Sequence, residues 1–358
     1  MKKILKAFSL ISVMFLCFSC NKTPPTEPGL NAVSSLKKIG DRAYSLEYFG
    51  DYLLDALINA DVKDETALRK YLESDIPNWK TYAEISSKLK ISLPDDFACS
   101  SLVAANKDSA GGQIYGRNFD WLNDTGILLL HSKPTKGFES ISTTSSFCLE
   151  FMQYGRKWEP ENNSEKAVTL MSVFVPMDGL NEKGLYVSIL DAGNTEKTAQ
   201  ATKKHDVTTT VAVRYLLDHA DSVDKALKLL RDIDIHSVLG TAYHFAIADN
   251  TGKSVVVEWY DDEMYVTETH AVTNHYISSV CLEKAKNQKP GNSEERYNTL
   301  MQAGVEKSWK MSQTEVRDAM KSVLQHEHTV WTTVYEPNKR RATYYFHEDY
   351  TKPVVVEF

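Results

Sequence analysis

Two β-like runs joined by a short polar turn constrain this chain more than any other feature. The first reads Cys99-Ser100-Ser101-Leu102-Val103-Ala104-Ala105, and the second ends Gly116-Arg117-Asn118-Phe119-Asp120-Trp121. Between them, Asn106-Lys107-Asp108-Ser109-Ala110-Gly111-Gly112 carries the Gly and Asp content of a hairpin connection. With Asn106 opposite Ile114, antiparallel pairing brings Asp120 and Trp121 back to Cys99, with Arg117 close behind. A cysteine beside a cation and a carboxylate is a candidate activated nucleophile. For an isolated cysteine a buried structural thiol is the ordinary reading; here the surrounding residues favour the nucleophile.

The first residues read as a targeting segment. Lys2, Lys3 and Lys6 precede a short apolar run that ends at Ser19-Cys20, too short to span a bilayer well. Residues 1–20 resemble a lipoprotein signal with Cys20 as the lipidated residue, and 21–30, with Pro24, Pro25 and Pro28, read as a flexible tether. The expectation is an exported bacterial lipoprotein, periplasmic or at the cell surface and membrane-bound through that anchor. Cys148 and Cys281 have no metal-ligand spacing and are expected to be free core thiols. The net charge of −7 gives no sign of nucleic-acid binding.

Beyond the tether, Leu36, Ile39, Ala43, Leu46, Gly50, Leu53 and Leu57 recur at three- and four-residue spacing and predict a helix. A coiled-coil partner helix is the simple alternative for that stripe. Two further helices are expected over 64–73 and 78–89, so that 31–98 forms a helical prosegment and 99–358 the main domain. From Cys99 onward strands dominate, expected at 100–105, 113–118, 127–131, 169–175, 185–190, 243–248, 254–259, 264–269 and 271–274. A helix pair (208–220 and 223–232) interrupts them, and helices at 293–302 and 314–324 precede strands at 329–335 and 342–347. With no βαβ alternation, a doubly wound sheet is excluded.

Cys-Ser-Ser-Leu-Val-Ala followed by Gly-Arg-Asn-Phe-Asp-Trp resembles the mature start of the linear amide C–N hydrolases of the N-terminal-nucleophile (Ntn) superfamily. That group includes choloylglycine hydrolases, penicillin V acylases, acid ceramidase and N-acylethanolamine acid amidase. The resemblance implies an α+β fold, a four-layer αββα sandwich preceded by the prosegment. It also implies cleavage between Ala98 and Cys99, with the prosegment possibly kept as a small subunit. Cys99 then supplies both a thiol nucleophile and, as its α-amine, the base, whose unperturbed pKa of ~7.7–8.0 suits neutral pH. Arg117 and Asp120 follow the family pattern: Arg117 stabilising the thiolate, Asp120 orienting the α-amine. Asp178–Leu185 and the hairpin Thr241–Glu258 match family stretches more weakly. Thr273-Asn274 resembles the element that donates an amide to the oxyanion, and Ser293-Glu294-Glu295-Arg296 the one that delivers a second arginine beside Cys99, helping to lower its thiol pKa. Asp191 falls at an oxyanion position where relatives carry Asn or Tyr, so a side-chain role for it is weaker.

The function implied is hydrolysis of the linear amide of an N-acyl amphipathic molecule through an acyl–Cys99 thioester, with no cofactor or metal. The Cys-Ser-Ser-Leu-Val-Ala start, the prosegment and the Trp331 strand point to lipid amides of the acylethanolamine or ceramide kind; conjugated bile salts and penicillin V are the alternatives. A metal-dependent rival would have to rest on His326-Glu327-His328 alone. A Cys/His thiol protease would work without cleavage before Cys99. A non-catalytic lipid-binding lipoprotein would leave the Ala98–Cys99 bond intact. A homo-oligomer is compatible with all of these.

Overall fold

Long strands with both faces covered build two sheets that face one another. The computed structural model describes residues 32–75 and 98–358, except 110, 123, 153–156, 161–167, 194–196, 239–240, 286–287 and 289–290. The signal, the tether and the helix expected over 78–89 lie outside the described residues.

The larger sheet runs β1 (Lys37–Gly40), β2 (Ala43–Phe49), β5 (Ile127–Lys133), β6 (Ser140–Ser145), β7 (Asp178–Asn181), β8 (Tyr186–Asp191), β11 (Tyr243–Ala248), β12 (Ser254–Tyr260) and β13 (Glu263–Glu268), hydrogen-bonded in that order. The smaller runs β14 (Ala271–Val272), β3 (Ala98–Asn106), β4 (Gln113–Asp120), β16 (Thr329–Glu336), β17 (Arg341–Phe346) and β18 (Val354–Glu357), with β15 (Lys310–Met311) also on β3. Strands β9 (His205–Thr208) and β10 (Ile233–His236) form a separate parallel pair.

Helices close both outer faces. On the larger sheet lie α4 (Thr209–His219) and α5 (Val223–Arg231), after α1 (Leu54–Ile58), α2 (Glu65–Asp75) and α3 (Ser146–Met152). Asn181 on β7 donates to the carbonyls of Leu217 and Ala220, which fixes the end of α4 to the sheet. After α6 (Ser279–Lys284), α7 (Ser293–Glu306) and α8 (Gln313–Ser322) cover the smaller sheet. Leu300, Val316 and Met320 pack there on Leu102, Ile114 and Val334. Gly116 permits this approach, since a Cβ there would sit 2.7 Å from Met320 Cγ. The result is the four-layer αββα sandwich expected from the sequence.

The hairpin forms as β3 and β4, with Cys99 opposite Phe119 and Ala98 opposite Asp120. That register differs by two residues from the one expected, so each side chain keeps its face of the sheet.

Two elements differ in kind. The helix expected through Leu36, Ala43, Leu46 and Leu57 is instead the β1–β2 hairpin followed by the short α1. Leu46 and Tyr48 are buried while Glu47 and Phe49 are exposed, a period of two that the three/four spacing of the leucines concealed. Strand β2 also finds the open edge of β5 and pairs with it in parallel over its whole length. Pairing with a distant strand thus overrides local periodicity. The helix expected over 64–73 does form, as α2. The strand expected over 169–175 is a 3₁₀ helix, Val168–Phe174, buried on every side; a short continuous apolar run does not distinguish the two.

Residues before Cys99 are therefore part of the main core. Leu57, Leu68 and Leu72 are fully buried. Tyr52 donates to Asp218 Oδ2, and Asp218 is paired with the buried Arg214 at 3.2 Å. Arg214 also donates to the hydroxyls of Ser132, Ser140 and Ser142, joining α4 to β5 and β6. Tyr52→Phe leaves a buried carboxylate short of a donor and is expected to cost about 1–3 kcal/mol, read as a lower urea midpoint at unchanged slope.

Candidate active site

The hairpin places Cys99 at the start of β3, buried between the two sheets. Arg117, two residues before the Cys99 partner Phe119, reaches across to it. Its Nη2 donates to Cys99 Sγ at 3.1 Å and to the Ile189 carbonyl at 2.9 Å, and its Nη1 to the Asn118 carbonyl at 2.7 Å. Its Nε lies 3.4 Å from Asp178 Oδ2. Burial opposes the Arg117 charge, but Cys99 and Asp178 outweigh it and hold the guanidinium above its ordinary value. Burial pushes the Cys99 thiol up, and Arg117 pulls against that shift.

Asp178 is the residue the sequence reading missed as part of the site. It accepts from Trp331 Nε1 at 3.1 Å and Tyr335 Oη at 2.6 Å, besides facing Arg117. Its signal was its place just before Gly179 in the Asp178–Leu185 stretch, which any tight turn could also explain.

Asn274 and Arg296 converge on the backbone of Cys99. Asn274 Oδ1 accepts from the Cys99 N–H at 2.7 Å and from Arg296 Nη2 at 2.8 Å. Arg296 Nη1 donates to the Cys99 carbonyl at 2.7 Å. Arg296 thus stands beside Cys99 as expected, but its contacts are with the Cys99 carbonyl, Ser100 Oγ and Asn274 rather than the sulfur. One N–H of Asn274 goes to the Asp191 carbonyl at 2.9 Å, leaving its second for another acceptor. Asp120 is buried beside this group. Its Oδ1 accepts from Thr329 at 2.6 Å, while its Oδ2 has no hydrogen-bond partner among the described residues. Burial pushes its carboxyl up, against the pull of Arg296.

A narrow apolar crevice opens at Cys99, lined by Phe119, Trp121, Phe147, Met177, Ile189 and Tyr243 among others. Its free volume is about 10 Å³, room for one water. Cys148 lines it too; Cys148 and Cys281 are both free and buried. His326 pairs with Glu348 while His328 faces the Trp121 carbonyl, so the two do not share a site. Among the described residues no three His, Cys, Asp or Glu side chains converge on a metal position.

Asp191 meets the crevice, and its side chain is engaged there as an acceptor. Its carboxylate accepts from Thr241 Oγ1 at 2.6 Å and the Gly193 N–H at 2.5 Å. Burial pushes it up to about 6 despite those donors. A carboxyl raised on folding contributes stability below its unfolded pKa and loses it as pH rises through the folded one. Asp191→Asn is therefore expected to gain stability over the wild type between 3.8 and about 6, by about 3 kcal/mol in all. Urea unfolding of both proteins at pH 4 and pH 7 checks this.

The chain is similar to known proteins in sequence and in fold. A curated penicillin V acylase of Pectobacterium atrosepticum is 25% identical over 186 residues, 47% of this chain and 46% of that one. The chain thus matches just under half the length of that relative. The fold resembles that of a mutant conjugated bile acid hydrolase from Clostridium perfringens, with a TM-score of 0.51 at 15% identity, covering 73% of this chain and 92% of that one. A second variant of the same hydrolase gives a TM-score of 0.50 at 16% identity, covering 72% and 92%. Residues 166–350 match the acyl-coenzyme A:6-aminopenicillanic acid acyl-transferase family. Since they make up just over half of the sequence, the chain belongs to that family, within the linear amide C–N hydrolases of the Ntn superfamily.

Proposed function

We propose that this chain is a cysteine amidohydrolase that becomes active when the Ala98–Cys99 bond is cut. The observation that carries the reading is the convergence of Arg117 on the Cys99 sulfur with Asn274 and Arg296 on its backbone. In the uncut chain the Cys99 nitrogen is an amide and cannot take a proton. Once cut, it is an amine with hydrogens to donate, and Asp120 Oδ2, unpartnered among the described residues, is the acceptor that would hold it.

The thiol attacks the substrate carbonyl and its proton passes to the α-amine. The oxyanion takes the second N–H of Asn274. The C–N bond breaks as the α-ammonium returns a proton to the leaving amine. Water then attacks the thioester, releasing the acid and restoring the thiol. Loss of one oxyanion donor, in Asn274→Ala, is expected to lower kcat on the order of 10²–10³.

The aromatic and aliphatic crevice favours an apolar acyl group, and lipid amides of the acylethanolamine or ceramide kind are the substrate class proposed. The crevice must widen to take such a chain. The penicillin V acylase relative favours penicillin V as an alternative, and conjugated bile salts are the other. We further propose that the protein is an exported lipoprotein anchored at Cys20. Residues 32–75 then stay bound after cleavage, because β2 is paired to β5 and Tyr52 to Asp218.

Intact mass and N-terminal sequencing of the purified protein test the reading, with Cys99→Ala as control. The expected result is a fragment beginning at Cys99, absent from the control, that co-elutes with the N-terminal fragment until denaturant is added. An uncut, folded chain that hydrolyses no N-acyl amide would overturn it and leave a lipid-binding lipoprotein.

A further inference from the structure

Asn274 lies on no regular element. It follows β14 on a turn, and something must hold that turn where its amide meets Cys99. Two fully buried polar side chains outside the site stand behind it. His244 on β11 and Glu258 on β12 follow from the ladder pair Phe245–Val257 as the next cross-strand neighbours. His244 Nε2 is 2.7 Å from the Thr273 carbonyl, and since a carbonyl only accepts, Nε2 carries the proton. His244 Nδ1 is 3.2 Å from Glu258 Oε1. Glu258 in turn accepts the N–H of Ile277 at 2.8 Å on one oxygen and that of Ser278 at 2.7 Å on the other. The pair therefore grips the turn on both sides of Asn274, at Thr273 and at Ile277–Ser278. From the opposite side Ser293 on α7 accepts the Asn274 N–H at 2.6 Å.

We infer that His244 and Glu258 are positioning residues for Asn274: a buried cross-strand pair that fixes the turn 273–278 against β11 and β12. Their hydrogen bonds go to the turn and to each other and not to Cys99, and neither is needed to close the ladder they sit on. Two buried polar side chains in an otherwise apolar strand pair are costly unless satisfied. Here their partners are the backbone groups of one turn, and that turn carries the side chain whose oxygen binds the Cys99 nitrogen. The effect on catalysis rests on the amidohydrolase reading above; the effect on the turn does not.

The two nitrogens of His244 separate the roles. His244→Gln places an amide N–H near the Nε2 position and keeps the Thr273 contact. His244→Asn places one near Nδ1 and keeps only the contact with Glu258. His244→Ala is expected to lower kcat on the order of 10²-fold with little change in KM, as misplacement of a reacting group by about 1 Å does. His244→Gln should recover most of that loss and His244→Asn little. In an Asn274→Ala background, adding His244→Ala should cost less than about 3-fold, because the penalty acts through Asn274. Glu258→Gln, which turns one acceptor into a donor facing the Ser278 N–H, guards against a variant that fails to fold. Crystal structures of His244→Ala and Glu258→Gln should show β11 and β12 unmoved and the turn displaced, with Asn274 Oδ1 beyond hydrogen-bond reach of the Cys99 nitrogen. Rates that multiply independently in the double variant, equal rescue by Asn and Gln, or a turn that stays in place would overturn the inference. An inactive wild type whose variants nonetheless displace the turn would reject the hydrolase reading and keep the positioning role.

Discussion

The guanidinium of Arg117 is the contact on which the site depends. It leaves β4 in the smaller sheet and ends among groups of the larger one: the Asp178 carboxylate on β7 and the Ile189 carbonyl on β8. A buried cation is tolerated only when its charge is balanced. Asp178 supplies the balance, and it is itself satisfied by Trp331 and Tyr335 on β16. The charge pair thus bridges the two layers and fixes their spacing at the point where Cys99 emerges. A lysine would not serve: its single ammonium cannot meet a sulfur, two carbonyls and a carboxylate in four directions. The contact with Cys99 Sγ is one arm of a structural fork, which is why the sulfur and the sandwich are positioned together.

Around that sulfur the other groups arrive from separate parts of the chain, and two of them, Asn274 and Arg296, address the Cys99 backbone. Arg296 comes from α7, Asn274 from the turn after β14, and Asp120 from the end of β4. Arg296 holds the Cys99 carbonyl and the Asn274 oxygen at once, so it ties the oxyanion candidate to the nucleophile. Under the proposed mechanism, in which the Cys99 nitrogen would take the proton, that nitrogen must be placed as accurately as the sulfur.

The hairpin was legible because three signals agreed over it: turn chemistry, β-rich runs and the Arg/Asp spacing. Cys99, Arg117, Asn274 and Arg296 could be named for the same site because each sits in a short motif, and the structure brings all four together. What could not be read was whatever depends on pairing across the fold. The β1–β2 hairpin looked helical, since Leu36, Ala43 and Leu46 satisfy a helical period by chance and only β5 decides between the two. Strand β6 is hard to read because Ser and Thr fill it, and its hydroxyls serve Arg214 and Tyr344 instead of an apolar core; β7, Asp-Gly-Leu-Asn, reads as a turn. Asp178 was hidden for a similar reason: its partners Arg117, Trp331 and Tyr335 are far away in sequence.

The pairing of β2 with β5 bears on what a cut before Cys99 would do. A helical prosegment lying on the surface could leave after a cut at Ala98–Cys99 with little loss. A strand pair added to the edge of the larger sheet cannot, because β2 carries a full parallel ladder to β5 and buries Leu46 and Tyr48 beneath it. Removing it would expose an apolar edge and strip Asp218 of the Tyr52 hydroxyl inside the core. A cut before Cys99, by contrast, takes from β3 only Ala98, whose ladder partner is Asp120. If the proposed cleavage takes place, the bond it breaks is cheap for the sandwich to lose, while the segment it separates is costly to release, so the two pieces would keep one continuous core.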